Sequence, residues 1–170
     1  MSITIDIRQL KDLEKRLEKA GPKTIKYAEA ELKESVNTVE FFARELAPRD
    51  RGGLEQSISQ EPNKDQSKGK SYKIGAKVNY APYVEFGTGG KVSIPKGFED
   101  LANDFRGKKG GTFKDMVEAL TLWVKRKGIG NGKNDKGLAY VIALSILRKG
   151  MRPQPFLIPA YEMEKPKLIQ

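Results

Sequence analysis

The feature that most constrains this chain is a stripe of apolar residues between Thr24 and Leu46. Ile25, Ala28, Leu32, Val36, Val39, Phe42 and Leu46 recur at steps of three or four, the spacing that places side chains on one face of an α-helix. Pro48 stops this helix. Gly21-Pro22 sets its start, since proline suits a first helical turn. Ahead of it, Ile7, Leu10, Leu13, Leu17 and Ala20 predict a shorter amphipathic helix over 7–20.

The period then changes. Leu54 to Gln60 reads as a short strand, and the polar stretch Pro62–Lys70 as a hairpin loop or flexible arm. Tyr72, Ile74, Ala76, Val78 and Tyr80 alternate with polar or small residues, the pattern of a half-buried strand. Pro82 and the glycines at 87–90 bracket a short apolar segment, Tyr83–Phe86. Residues 91–111 are loop-like, with one short helix over Phe98–Phe105. Phe113, Met116, Val117, Leu120, Trp123 and Val124 predict a helix over Phe113–Lys127. Gly128–Gly132 links it to another over Lys136–Lys149, which has apolar residues on several sides and is expected to be largely buried. Gly150 is a natural stop. The tail carries three prolines within seven residues, then a short helix or strand, and a long terminal helix is not expected beyond Pro166. This order predicts an α+β fold, with a small antiparallel sheet packed against a long N-terminal helix and additional helices. A single domain over 1–170 is expected, with a basic helical insertion at about 98–150.

Composition narrows the chemistry. The 170 residues contain no cysteine and no histidine. Disulfides, thiolate metal sites and Ser–His or Cys–His nucleophile pairs are excluded, leaving only carboxylate, lysine or tyrosine chemistry. No catalytic residue, cofactor or metal is assigned. The N-terminal stretch lacks the layout of a signal peptide, and no apolar run approaches the ~20 residues of a membrane helix, so a soluble protein made in the cytoplasm is expected. The net charge of +10 is uneven: residues 106–152 hold twelve Lys/Arg against three Asp/Glu, a net of +9, and the rest of the chain sums to +1. Such a patch can meet nucleic acid, an anionic membrane or an acidic protein surface, or simply be solvated. Its candidate contacts are Lys108, Lys109, Lys125, Arg126, Lys127, Arg148, Lys149 and Arg152. Trp123 beside Lys125–Lys127 has the composition of a nucleic-acid contact, but it lies on the apolar stripe of its helix and is assigned to the core.

Gly87-Thr88-Gly89-Gly90-Lys91 invites a phosphate-loop reading and fails it. The glycine required five residues before the Gly-Lys pair is Glu85, and Lys91 is followed by Val92. The glycines read instead as backbone turns with positive φ. Gly107–Thr112 reads as a mobile loop. Glu85, between Val84 and Phe86, reads as a buried acid paired with a cation rather than as a general acid.

Three motifs together resemble one family. Ala47-Pro48-Arg49-Asp50-Arg51-Gly52-Gly53-Leu54-Glu55-Gln56-Ser57-Ile58 follows the long helix. Val78-Asn79-Tyr80-Ala81-Pro82-Tyr83-Val84-Glu85-Phe86-Gly87-Thr88-Gly89 is the most specific of the three. Gln154-Pro155-Phe156-Leu157-Ile158-Pro159-Ala160-Tyr161-Glu162 closes the set. In order and spacing they resemble the tail-component family of long-tailed bacteriophages, which includes tail-completion and head–tail joining proteins of the minor tail protein Z type. The resemblance covers roughly residues 24–165, and Leu122–Gly128 is similar to an insertion seen in many members. Arg51, Ile158 and Tyr161 depart from the family's usual Thr, Arg and Leu.

The resemblance implies a non-enzymatic virion protein of the neck, made in the host cytoplasm. It would be monomeric or weakly associated when free, and in the virion would form a ring, by family and tail symmetry a hexamer. Its partners would be itself, the connector or stopper, and the tail terminator or tube proteins, with DNA in the channel and no membrane. Tyr80, Tyr83, Glu85, Phe86, Gly87, Phe156 and Leu157 are the candidate interface residues, because aromatic and proline-fixed side chains bury area at low entropic cost. Segments 62–70, 87–97 and 106–112 are candidates to order on assembly. The alternatives are a DNA-binding module using the basic 106–152 segment, and a carboxylate enzyme centred on Glu85.

Overall fold

A computed structural model describes residues 3–7, 21–63, 70–105, 112–130 and 132–169. They fall into two compact units. One comprises the chain up to Ala81 and from Gln154 onward, and the other is Pro82–Pro153.

The first unit is built on helix α1, Pro22–Leu46. Gly21, at φ 91°, precedes Pro22 in the first turn, and the N–H of Ala47 donates to the carbonyl of Ala43 before Pro48 ends the helix. Gly52, at φ 73°, turns the chain into a short helix, α2, Gly53–Ser57. Strands β2 (Ile58–Pro62) and β3 (Tyr72–Ala76) follow. With β1 (Ile3–Ile7) they form an antiparallel sheet ordered β1-β3-β2, in which Ile58 and Ile3 both lie opposite Ala76.

The period-two alternation of the strands divides the sheet into two faces. Ile58, Ile74 and Ala76 are fully buried on the α1 side, as are Val36 and Ala43 of the helix. Gln60, on the same face, donates through Nε2 to Asn37 Oδ1 at 2.7 Å and accepts from Lys33 Nζ at 2.6 Å. The chain returns as helix α7, Leu157–Ile169, which packs on α1 and buries Leu157, Ile158, Ala160 and Tyr161.

In the second unit, helix α3 (Ala81–Phe86, its first residue still in the first unit) is followed by a single 3-10 turn at Gly89–Lys91 and the short helix α4, Glu99–Asn103. Helices α5 (Phe113–Lys127) and α6 (Asp135–Lys149) pack on each other. Thr112 and Asp115 close a reciprocal capping box at the start of α5, and Gly128 ends it at φ 62°. Phe113 meets Tyr140 edge-on, with ring centroids 5.4 Å apart.

The α+β class, the long helix and the small antiparallel sheet are as the sequence predicts. Four expectations need correction. Leu54–Ser57 is a helical turn rather than strand: Leu54 and Ile58 are four apart, which satisfies both periods, and the left-handed Gly52 decides for the helix. The strand over 72–80 stops at Ala76: the Lys77 N–H still donates to the Ser57 carbonyl at 3.1 Å, but Ser57 already belongs to α2 and the chain turns at Val78–Ala81. Helix α6 buries only Asp135, Ala139 and Ala143 and leaves Tyr140, Val141 and Leu147 exposed. Finally, α7 runs to Ile169 through Pro166. One lost backbone bond near its end is outweighed by the face it buries on α1. The helix expected over 7–20 lies outside the described residues, except Ile7, which ends β1.

Candidate functional site

The three motifs form the framework of the fold. The first two meet at Tyr80. Its phenol oxygen stands 3.4 Å from the point a Cβ on Gly53 would occupy, so the second glycine of the first motif leaves room for the tyrosine of the second. Burial raises the Tyr80 pKa above its ordinary value, and the neighbouring charge of Asp50 raises it further. Arg49 ties this corner together, reaching Glu45 at 2.9 Å and Glu55 at 3.2 Å. These pairs are largely exposed and contribute orientation more than stability. Beside them Arg44 Nη2 donates to the Ile58 carbonyl at 2.6 Å and to Glu40 at 2.7 Å, fixing the end of α1 to the start of β2.

The glycine-rich end of the second motif clasps the chain at 150–153. The N–H of Thr88 donates to the Met151 carbonyl at 2.9 Å, and the N–H of Met151 donates back to Thr88 Oγ1 at 2.8 Å. Gly87, at φ 76°, has no room for a side chain: a Cβ would lie 2.7 Å from the Met151 carbonyl oxygen and 2.9 Å from Pro153 Cδ. Here the glycines serve close backbone approach rather than phosphate binding.

The third motif is the seam between α7 and α1. Phe156 and Leu157 are 0% exposed. Further along α7, Glu164 is 3% exposed, accepts from Ser35 Oγ of α1 at 3.0 Å and from Lys167 Nζ at 3.0 Å. Neither Ser35 nor Glu164 carries a sequence signal; only their burial on facing helices reveals them.

The candidate interface residues divide sharply. Tyr80 is 47% exposed and Tyr83 half-buried, whereas Glu85, Phe86, Gly87, Phe156 and Leu157 are buried within the chain. Lys125, Arg126 and Lys127 are exposed on the last turn of α5, and Arg148 and Lys149 on the last turn of α6, where the helix dipole favours cations. Arg152 is exposed in the following connection, and Trp123 is half-buried. Lys108 and Lys109, with most of segments 62–70 and 106–112, lie outside the described residues.

Among the described residues, no three or more Asp and Glu come together in a group able to hold a metal ion. The outer face of the sheet carries a shallow hollow lined by Thr4, Ser59, Glu61, Lys73 and Lys77, in which Lys77 pairs with Glu61 at 2.6 Å. It offers a polar surface with no nucleophile activated by a neighbouring base.

The helix-backed antiparallel sheet, with the first two motifs in its frame, covers most of the stretch that has a counterpart among known families. Residues 11–87 match the family described as "Bacteriophage HK97-gp10, putative tail-component". The resemblance read from the sequence is borne out over that stretch, which is similar to a structural tail component of a bacteriophage. The matched region contains the first motif and ends inside the second. No match was found among the curated proteins or the solved structures. Among the described residues no helix is long and apolar enough to cross a membrane.

Proposed function

We propose that this protein completes the tail or joins head to tail in the neck of a long-tailed phage, assembling as a ring, sixfold like the tail, and docking between the connector or stopper and the tail terminator or tube. Its role is structural rather than catalytic. The family match over 11–87 carries the reading, and the framework built by the three motifs supports it, because such a frame holds a surface in fixed shape for docking. Tyr80 and Tyr83 are the interface residues of the motifs that keep exposed surface. The segment at about 98–150 acts as a basic insertion into the neck domain.

Deleting the gene tests this reading. Lysates should then contain separate filled heads and finished tails, and supplying the protein in trans should restore joined, infectious particles. Joined, infectious particles from the deletion would refute it.

The exposed cations that end α5 and α6 favour a second reading, contact with duplex DNA. That reading requires duplex binding whose affinity falls steeply with salt. No binding at low salt eliminates it and leaves an acidic protein surface as their partner.

A further inference from the structure

The two units differ in how fully each closes its own core. In the first, α1, the sheet and α7 all bury large side chains: Val36, Val39, Ile58, Ile74, Phe156 and Leu157 are 1% exposed or less. In the second, among the described residues, Phe86, Val117 and Val124 are the only buried apolar side chains larger than alanine, and α6 adds Ala139 and Ala143. Leu122, Ile129, Tyr140, Val141 and Leu147 of the same unit are between 48% and 62% exposed, and Trp123 and Ile142 are half-buried. An apolar helix face is hidden only where another layer lies against it, and α6 has apolar residues on more sides than α5 covers. Charge works in the same direction. Residues 82–153 hold fourteen Lys/Arg against seven Asp/Glu, a net of +7 in a chain whose total is +10, and like charge opposes compaction.

The connections make separate opening feasible. Ala81, where the first unit ends, is 0% exposed, and so is Phe156, just after it resumes at Gln154. The first unit thus holds both ends of the inserted stretch through its own core. Opening the insert turns it into a long loop, and the cost of closing a loop rises only slowly with its length. Inside the insert, the bonds of 2.9 and 2.8 Å between Thr88 and Met151 tie its two ends to each other. We infer that residues 82–153 open and close as one cooperative module while α1, the sheet and α7 stay folded, with the Thr88–Met151 clasp as the latch. A unit with few buried apolar residues opens at low free energy, and such openings take in a contiguous segment together. The cations that end α5 and α6 hold fixed places only in the closed form. A partner that reads their arrangement draws the module shut by mass action, so partner binding completes the folding of the surface it meets. This device is independent of the neck reading.

Amide hydrogen exchange of the full chain, followed by NMR, tests it. In the free protein the slowest amides of α5 and of α6 should be protected alike, and about a hundredfold less than the slowest of α1 and α7. Protection in α5 and α6 equal to that in α1 and α7 would mean a single cooperative domain and would overturn the inference. Unequal protection in α5 and α6 overturns it as well, because the two helices would then open separately. Thr88→Ala removes only the hydroxyl that accepts from the Met151 N–H. It should speed exchange in both α5 and α6 by about fivefold and leave α1 and α7 unchanged. No acceleration in α5 and α6, or an equal acceleration in all four helices, refutes the latch.

Discussion

Gly150→Ala is the sharpest test of how the second motif works. Gly150 has φ 72° and ψ 168°, a region of backbone space reserved for glycine, where an alanine costs about 1–3 kcal/mol. Its new Cβ would also collide with the carbonyl oxygen of Thr88, a backbone atom that cannot swing away. Relief requires the 88 and 151 segments of chain to part, which breaks the bonds of 2.9 and 2.8 Å between Thr88 and Met151. At roughly 0.5–1.5 kcal/mol each, these bring the expected loss to about 4 kcal/mol, a large share of what holds a domain of this size together. The molecule supplies its own control one residue past that motif. A methyl group added at Gly90 would meet nothing within 4 Å, and Gly90 has no positive φ, so Gly90→Ala should change stability by less than about 0.5 kcal/mol. The single tryptophan, Trp123, lies in the same unit as the clasp, so urea titration followed by its fluorescence reads the right region. With a slope near ~2 kcal/mol/M, Gly150→Ala should lower the midpoint by about 2 M. Equal midpoints for the two variants would refute the clasp.

Other substitutions probe the rest of the framework. Phe156→Ala removes a fully buried ring at the start of α7 and should cost about 3–5 kcal/mol in chemical denaturation; a loss below about 1 kcal/mol would return Phe156 to the surface anchors. Ser35→Ala takes a hydrogen-bond donor from the buried Glu164, with an expected loss of about 1.5–3 kcal/mol followed by circular dichroism. Asp115 has its pKa lowered from 3.8, first by the Thr112 backbone N–H and then by the Thr112 hydroxyl. Its stabilisation of α5 is therefore complete above 3.8 and is lost as pH falls through the lowered value, and Thr112→Ala should bring the carboxyl titration back toward 3.8 by NMR. Tyr80, raised by burial and then by Asp50, should titrate lower in Asp50→Asn by ultraviolet absorbance. Because its folded pKa is raised, it favours the native state below pH 10 and loses that contribution progressively as pH rises through the raised value.

Much of the fold is legible in the sequence where one periodicity runs long enough to exclude the other. The stripe from Ile25 to Leu46 and the run from Phe113 to Val124 each mark a helix to within a few residues of its ends. Short segments are where periodicity fails. Leu54 and Ile58 fit either period, and only the backbone of Gly52 resolves them. The tail read as only a short helix or strand, because the contact that sustains α7, α1, lies more than a hundred residues away in sequence. The same distance hides Ser35 and Glu164. Apolar composition also misled at α6: residues on every side of a helix promise burial only if neighbours exist to cover every side, and here α5 covers one.

That last point bears on how motif residues should be weighed when docking surfaces are sought. Tyr80, Tyr83, Glu85, Phe86, Phe156 and Leu157 are the side chains that make the motifs recognisable, yet four of the six are buried in the chain's own interior. A residue needed by the frame is restricted by packing, close backbone approach and hydrogen bonding, all of which demand one particular side chain. A docking face works under looser demands, since area and charge of the right sign can be supplied by many residue types. Tyr27 and Phe41 on α1, and Val141 and Leu147 on α6, belong to no motif and are exposed; they emerge only when the burial along those helices is seen. In a protein of this design the recognisable residues report the frame, and docking contacts are to be sought on the exposed surface that the frame holds in place.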